Sequence, residues 1–271
     1  MPELPEVETT RRGIAPHLTG ATITSVIIRE RRLRWPIPAR IEECLTGRIV
    51  NSVDRRAKYL LLRTDTGTVI IHLGMSGTLR LVEPGTAPHK HDHVDIEMDS
   101  GRVLRFNDPR RFGCLLWADD NPFNHPLLVH LGPEPLGTEF TGAYLYAVSR
   151  GRRIAIKSHL MNSGIVVGVG NIYASESLFR AGIHPKRAAG RISLERMTRL
   201  THEVQLILQE SIRQGGTTLR DFYNGEGKPG YFKNELSVYD REGETCIRCR
   251  QPIRRIVLGQ RSTFYCPVCQ R

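Results

Sequence analysis

The chain has 271 residues, a formal net charge of +11 and an isoelectric point near 9.7, with 33 arginines and six lysines. This excess of basic residues favours a polyanionic partner. Nucleic acid is the first candidate, because arginine makes planar bidentate contacts with phosphates and guanine edges. No apolar run reaches the roughly 18 residues of a membrane span and the first residues are charged, which argues against membrane and secreted proteins and predicts a cytoplasmic one.

The chain begins Met1-Pro2-Glu3, so removal of the initiator methionine would expose the secondary amine of Pro2. An α-amino group has a pKa of about 7.7–8, which leaves a useful unprotonated fraction that can form an imine with a sugar aldehyde. Glu3 and Glu6 can supply general acid–base catalysis beside it. The alternative is structural: a helix start with Pro5 in its first turn and acids at the positive end of the dipole.

Residues 1–130 are expected to form an N-terminal β-sandwich domain with flanking helices. The pattern predicts helices over Glu6–Leu18 and Pro38–Leu45 and a strand within Ala21–Arg29. Two hairpin signals follow, Tyr59–Arg63 with Thr68–Leu73 and Val94–Met98 with Arg102–Phe106, each around a turn that ends in glycine.

A stretch rich in proline and glycine, His130–Phe140, indicates a linker, which we assign to residues 131–150. Residues 151–235 are predicted to be a helical domain. The helices expected in this half of the chain cover 142–149, 153–161, 171–181 and the apolar stripe over 194–212. Residues 217–231 are predicted to be a mobile loop, and 236–271 a small strand-rich module. The fold class is therefore α+β multidomain.

Four cysteines in the tail have the spacing of a tetrahedral zinc site, C-x₂-C followed after 16 residues by C-x₂-C. Four thiolates leave no open position, so the site is structural, and one zinc ion supplies folding energy that a short tail cannot obtain from a core. Gly259 and Gln260 suit the tip of the hairpin between the pairs, which would present Arg261 to a nucleic acid or simply to solvent. The ligands are Cys246, Cys249, Cys266 and Cys269.

Two turns and one lysine are further candidates. Phe112, in Asp108-Pro-Arg-Arg-Phe-Gly113, can act as a wedge in a duplex, with Arg110 beside the unpaired base. Met75 lies in a second turn; either turn can also be ordinary hairpin structure. Lys58 stands where this chain nearly always uses arginine, and lysine can exchange a proton, whereas arginine does not do so easily.

A glycine-rich run, Gly164–Gly170, leads directly into the helix that begins near Asn171. Glycines permit close backbone approach, and the amides at a helix start bind phosphate. Asn171 is a candidate cap or contact residue. The run lacks the dinucleotide-binding pattern. In a chain of charge +11 a DNA phosphate is the candidate ligand, and an ordinary glycine-rich helix start is the alternative.

Together these motifs resemble those of the bacterial formamidopyrimidine-DNA glycosylase family along nearly the whole chain. The matching segments are PELPEVET, RRAKYLLL, HLGMSG, HDH, DPRRFG, HLGPEPL, VVGVGNIYASESLF, GGTTLRDF, KPGYF and the four-cysteine tail with QRSTFYC. The resemblance implies an N-terminal β-sandwich, a helix–two-turn–helix domain and a C-terminal zinc finger. It implies a bifunctional glycosylase and AP lyase that removes oxidised purines from duplex DNA through β,δ-elimination. A monomer is the default expectation for a chain that clamps a duplex alone, and DNA binding would associate it with the nucleoid.

The resemblance also implies residue roles. Pro2 would be the nucleophile that forms the Schiff base, Glu3 the carboxylate that handles protons during base release, and Glu6 a second carboxylate near the site. Lys58 would serve β-elimination and Arg261 δ-elimination. The loop at 217–231 would cover the flipped base. The residues that would contact DNA or fill the gap left by the base are His91, Arg110, Arg153, Asn171, Met75 and Phe112.

One position departs from the family pattern: Asn162 stands where an acid is expected, which removes a charge near the phosphate-binding run and leaves the chemistry intact. Two rival functions stay open. A sister enzyme that resembles endonuclease VIII and acts on oxidised pyrimidines shares the Pro-Glu start and the zinc finger. A non-catalytic zinc-ribbon reader of DNA lesions would explain the charge and the cysteines, but not Pro2 and Glu3 together with Lys58.

Overall fold

The computed structural model describes residues 1–216 and 236–271, which form two compact units. Met1–Val129 makes up most of the first unit, and His130–Arg213 with the tail from residue 236 makes up the second. The segment predicted to be a mobile loop, 217–231, lies outside the described residues. Within the described ranges, no helix has the length and apolar character that crossing a membrane requires.

The first unit is a β-sandwich. Its strands in the described residues are β1 Ile23–Ile28, β2 Val50–Arg56, β3 Tyr59–Thr64, β4 Thr68–His72, β5 Thr78–Val82, β6 Asp92–Met98, β7 Val103–Asn107 and β8 Cys114–Ala118. They form two antiparallel sheets with the orders β1-β6-β7-β5 and β2-β3-β4-β8. Apolar side chains from both sheets share one buried cluster, to which Ile14 and Leu18 of the first helix also belong. The predicted sandwich and both hairpins are confirmed.

Two helices flank the sandwich, and both differ from prediction at their starts. Helix α1 covers Leu4–Leu18, two residues more than predicted, because Glu3 is its N-cap and a proline lies in its first turn. Helix α2 covers only Ile41–Leu45. The three residues before it form a turn, in which the backbone N–H of Ile41 donates to the carbonyl of Pro38.

The second unit has four helices in the described residues: α3 Gly142–Ser149, α4 Ile156–Leu160, α5 Asn171–Arg180 and α6 Leu194–Arg213. Helices α3 and α5 pack against α6, whose apolar stripe is buried as predicted. Helix α4 is shorter than the predicted 153–161. Its N-terminal flank is extended, because Ala155 forms a bridge with Ala188.

The tail forms a two-stranded hairpin of β9 Arg254–Leu258 and β10 Arg261–Tyr265. Gly259 and Gln260 form its tip as predicted, and both adopt the left-handed backbone region, with φ of 53° and 60°. The tail's small apolar cluster includes Phe264 and Val238 and is completed by Phe179 of α5. The α+β class with a C-terminal finger is confirmed.

Candidate active site and nucleic-acid interface

The start of α1 buries two carboxylates. Glu3 and Glu6 are 2% and 3% exposed. They form a capping box, in which a carboxylate oxygen of Glu6 accepts a hydrogen bond from the backbone N–H of Glu3 at 2.8 Å. This first turn therefore fixes both acids next to Pro2, which is itself buried.

The N-terminal amine lies in the field of these acids and of two cations. Burial is the largest influence on its pKa and lowers it from the usual 8.0, and the positive charges of Lys58 and Arg110 lower it further. Glu3 and Glu6 act in the opposite sense but do not reverse the shift. The amine described is that of Met1. In a chain without Met1, the Pro2 nitrogen becomes the terminal amine at the start of the same helix, next to Glu3.

Lys58 lies in a tight turn between β2 and β3. Ala57 and Lys58 alone join these strands, and Ala57 adopts the left-handed region with φ of 55°. The guanidinium of Arg55 holds the turn, because it donates to the carbonyl of Ala57 at 2.9 Å and to the carboxylate of Glu8 on α1 at 3.2 Å. The charge of Lys58 is thereby held close enough to act on the N-terminal amine.

His72 ends β4 and is held neutral. Its Nδ1 accepts a hydrogen bond from the backbone N–H of Gly74 at 3.0 Å, and its ring centroid lies 4.8 Å from that of Tyr59. Burial lowers the pKa of His72 to about 4, and the charges of Lys58 and Arg34 add to the effect. A neutral imidazole therefore fixes the start of the turn that carries Met75.

Replacing His72 by asparagine is expected to make folding less sensitive to acid. His72 protonates near pH 4 in the folded protein and near 6.5 in the unfolded chain. The contribution of neutral His72 to the free energy of unfolding is therefore complete above pH 6.5 and is lost as the pH falls towards 4. At pH 4.5 the loss is about 2–3 kcal/mol. Urea unfolding at pH 7 and 4.5 measures this loss. The exposed His17→Asn is the control, and an equal acid loss in wild type and His72→Asn would contradict the assignment.

The turns that carry Met75 and Phe112 contact each other through their backbones. Gly74 has φ of 64°, and a Cβ added there would lie 2.5 Å from backbone atoms of Phe112 and Gly113, so only glycine permits this approach. Met75 and Phe112 are each 42% exposed. The guanidinium of Arg110 lies 4.8 Å from the centroid of the Phe112 ring. The structure thus brings together the two turns predicted to enter the duplex.

Asp108 fixes this arrangement, a role that sequence reasoning missed. It is 0% exposed, and its carboxylate accepts hydrogen bonds from the backbone N–H groups of Gly113 at 2.7 Å and Arg110 at 3.3 Å. The hydroxyl of Ser76 donates to it at 3.2 Å from the neighbouring turn. An aspartate directly before a proline at a strand end was the available signal.

His91 lies beside the same turn. Its carbonyl accepts a hydrogen bond from the backbone N–H of Asp108 at 3.0 Å. Its ring is partly exposed and meets the ring of His93 edge-on, with 6.3 Å between centroids. His91 therefore lies in the first unit together with Met75, Arg110 and Phe112.

In the second unit, a buried lysine that sequence analysis had not singled out positions Asn171. Gly170 is the N-cap of α5, so of the two roles considered for Asn171, cap or contact residue, the cap is excluded. Its amide oxygen instead accepts a hydrogen bond from Nζ of Lys157 at 2.5 Å. Lys157 is 1% exposed and also donates to the hydroxyl of Thr263 at 2.8 Å. The amide of Asn171 donates to the carbonyl of Ser262 at 3.0 Å, so its side chain is held against β10.

The two remaining arginines of the predicted site are exposed in the second unit. Arg153 lies in the extended segment that precedes α4, and Arg261 is the first residue of β10, beside the hairpin tip. Asn162, the departure noted above, accepts a hydrogen bond from the backbone N–H of Gly164 at 2.9 Å. Its side chain thus closes the turn before the glycine-rich run without needing a charge.

The four cysteines form a site that fits zinc. The ligand atoms of Cys246, Cys249, Cys266 and Cys269 all lie within 4.8 Å of one another. The Sγ–Sγ distances are 3.9 Å for Cys246–Cys269 and 3.3 Å for Cys249–Cys266. A tetrahedral ion with Zn–S bonds of about 2.3 Å requires sulfurs about 3.8 Å apart. The donor set therefore matches one structural zinc ion.

Glu176 ties the tail to helix α5. This carboxylate is 0% exposed and accepts hydrogen bonds from the backbone N–H groups of Ser237, Val238 and Tyr239 at 2.7–2.9 Å. Burial raises the pKa of Glu176, although the three hydrogen bonds oppose the shift. The backbone segment that leads into the zinc finger is therefore held against α5.

Sequence comparison matches three family models in chain order. The formamidopyrimidine-DNA glycosylase N-terminal domain matches residues 1–115, the H2TH domain of the same enzymes matches 131–223, and the zinc finger found in FPG and IleRS matches 243–271. Among curated relatives, the formamidopyrimidine-DNA glycosylase of Methylococcus capsulatus is 60% identical over 271 residues, which is 100% of both chains.

Solved structures give the same result. The MutM (Fpg) protein of Thermus thermophilus is 38% identical with a TM-score of 0.89, over 99% of this chain and 98% of that one. A mutant of Lactococcus lactis FPG, solved in complex with DNA containing Fapy-dG, is 33% identical with a TM-score of 0.93 over 100% of both chains.

Proposed function

Since this chain belongs to the formamidopyrimidine-DNA glycosylase family, we propose that Pro2 is the nucleophile with which it excises oxidised purines from DNA. The protein is a DNA glycosylase and AP lyase that acts on duplex DNA and carries one structural zinc ion. The observation that supports Pro2 is its burial at the start of α1 together with the buried carboxylates of Glu3 and Glu6.

Catalysis begins when the damaged base leaves the stack. Flipping costs a few kcal/mol, and least for a damaged base, which contributes to selectivity. Met75 and Phe112 are proposed to occupy the space that the base leaves, with Arg110 beside the opposite base; the contact between their turns supports this. His91, Arg153 and Asn171 are proposed to contact the DNA. 8-Oxoguanine and formamidopyrimidines are the proposed lesions, and the Fapy-dG in the Lactococcus lactis complex supports the latter.

The bond changes follow from an amine nucleophile. The Pro2 nitrogen attacks the sugar C1′, the glycosidic bond breaks, and the departing base receives a proton. The C1′–O4′ bond of the sugar then opens, and Glu3 manages the transfer of a proton to O4′, which leaves a protonated imine between Pro2 and C1′. The resulting imine acidifies C2′. Loss of a proton from C2′, with Lys58 as the proposed proton carrier, expels the 3′ phosphate. A second elimination, assisted by Arg261, expels the 5′ phosphate. The product is a one-nucleotide gap with phosphate at both ends.

Replacing Glu3 by glutamine is expected to separate the two activities. Base release from a duplex with 8-oxoguanine opposite cytosine should slow at least 100-fold, since general acid–base catalysis contributes about 10²–10⁴. Borohydride trapping on a preformed abasic site should stay within about tenfold, because the aldehyde already exists. The exposed Glu43→Gln is the control. Equal losses of both activities would contradict this role.

The same substrates test the rival functions. Incision of oxidised pyrimidines without incision of 8-oxoguanine would support the endonuclease VIII-like alternative. Tight lesion binding with no trapping on any substrate would support the non-catalytic reader. We further propose that the protein acts as a monomer on chromosomal DNA in the bacterial cytoplasm, which its basic charge and DNA substrate support.

A further inference from the structure

We propose that a cleft beside the Phe112 turn, here called the Lys90 cleft, binds an additional backbone phosphate of the duplex; this inference rests on the proposed function. The cleft has a volume of about 440 Å³ and is lined by basic residues from three segments of the first unit. They include Arg29, His89, Lys90, His91 and Arg111.

The acids near the cleft are already neutralised by arginines. Asp92, at its base, accepts two hydrogen bonds from Arg80, both at 2.9 Å. Glu30, at its rim, forms ion pairs with Arg32 at 2.7 Å and Arg111 at 3.2 Å. No acid in the lining is therefore left to compete with an anionic ligand.

Arg29 also forms an ion pair with an acid, whereas Lys90 does not. Arg29 pairs with the buried Asp95 at 2.6 Å. Within residues 1–216 and 236–271, the side chain of Lys90 is exposed and has no hydrogen-bond or ion-pair partner. Lys90 thus carries the uncompensated charge of the cleft and is the residue on which a phosphate would depend most.

The loop that carries Lys90 is held in place before any ligand arrives. The carboxylate of Asp92 accepts a hydrogen bond from the backbone N–H of His89 at 2.8 Å. Arg105, 3% exposed, donates to the carbonyls of Thr86 at 2.9 Å and Ala87 at 3.2 Å. A loop fixed at both ends costs little further conformational entropy on binding.

The opposite wall of the cleft is strained. Arg111 adopts the left-handed region with φ of 54°, which is costly for a residue with a side chain. Its backbone N–H donates to the carbonyl of Asp108 at 3.2 Å, and its guanidinium is held by Glu30. The strained backbone places this arginine on the cleft side of the turn that carries Arg110 and Phe112, so the cleft continues the proposed DNA surface.

Equilibrium binding at different salt concentrations tests the proposal. The probes are an undamaged duplex and the same duplex with a chemically reduced abasic site, which cannot form an imine. Each phosphate contact contributes about 0.9 to the slope of log K against log salt. Lys90→Gln should reduce the slope by about 0.9 on both duplexes, so its loss of affinity should be about 3.5-fold larger at 50 mM than at 200 mM salt.

Two variants control the measurement. Lys90→Arg keeps the charge and should retain the wild-type slope. Arg102→Gln removes a cation from another cleft of the same unit, about 430 Å³ in volume, and should leave the slope unchanged. An unchanged slope for Lys90→Gln, or a loss confined to the abasic duplex, would overturn the phosphate site. If either result is obtained while the wild-type enzyme still excises 8-oxoguanine, the phosphate site is overturned and the proposed function stands. Failure of the wild-type enzyme to excise 8-oxoguanine would count against the proposed function itself.

Discussion

A chain that retains any residue before Pro2 is expected to lose borohydride trapping by about 100-fold or more. In such a chain the Pro2 nitrogen is part of a planar peptide bond, and its lone pair is delocalised. The amine of the preceding residue is displaced by about one residue, or 3.8 Å. Attack requires reacting atoms about 3–3.5 Å apart, and a misplacement of 1 Å can cost about 100-fold. The buried acids at the start of α1 leave little room for adjustment.

The test uses two preparations of the same sequence, one processed to Pro2 and one with Met1 retained, each verified by intact mass. A tag placed after Arg271 is the control and should leave trapping unchanged. Binding to a reduced abasic duplex should be similar in both preparations, because the DNA-contacting turns are intact. Trapping at the processed level in a preparation with Met1 verified intact would contradict the assignment.

Removal of zinc is expected to abolish both duplex binding and trapping. Binding of structural zinc contributes about 10–16 kcal/mol in isolated zinc fingers, which exceeds what the small apolar cluster around Phe264 can replace. The hairpin that the metal closes carries Arg261, and its β10 strand supplies the carbonyl of Ser262 that orients Asn171. Cys266→Ser should therefore lower zinc content from one ion per chain and reduce trapping at least 100-fold.

The control is Cys44→Ser, which removes a half-buried thiol outside the four-cysteine cluster. This variant should keep its zinc and stay close to wild-type activity. Circular dichroism and metal analysis of both variants separate loss of the finger from loss of the whole fold. Wild-type trapping by a Cys266→Ser protein shown to lack zinc would contradict the structural role.

Local patterns predicted much of the fold. The turn Asp99-Ser100-Gly101 identified one hairpin, the apolar stripe of α6 identified the longest helix, and the cysteine spacing identified the metal site. These features depend on residues close in sequence or on a fixed ligand geometry. Strands β2, β5 and β8 were not delimited individually. β2 and β5 mix polar with apolar residues, and β8 is an apolar run of only five residues.

Side chains that act over long sequence distances were not predictable in the same way. Lys157 looked like any surface cation, yet it is buried because Asn171 and Thr263, 14 and 106 positions away, accept its hydrogen bonds. Asp92 and Arg105 form part of an interior ion network that only strand pairing brings together. The topology of the fold decides which charged residues form ion pairs. The number of charges in the sequence does not predict those pairs.

The most direct measurement maps the covalent adduct. The processed protein is incubated with a duplex that contains 8-oxoguanine opposite cytosine, reduced with borohydride, digested with trypsin and nuclease, and sequenced by mass spectrometry. Pro2 as nucleophile predicts that the sugar remnant lies on the peptide Pro2–Arg11, at its first residue. A remnant on a peptide that contains Lys58, with Pro2–Arg11 unmodified, would contradict the account.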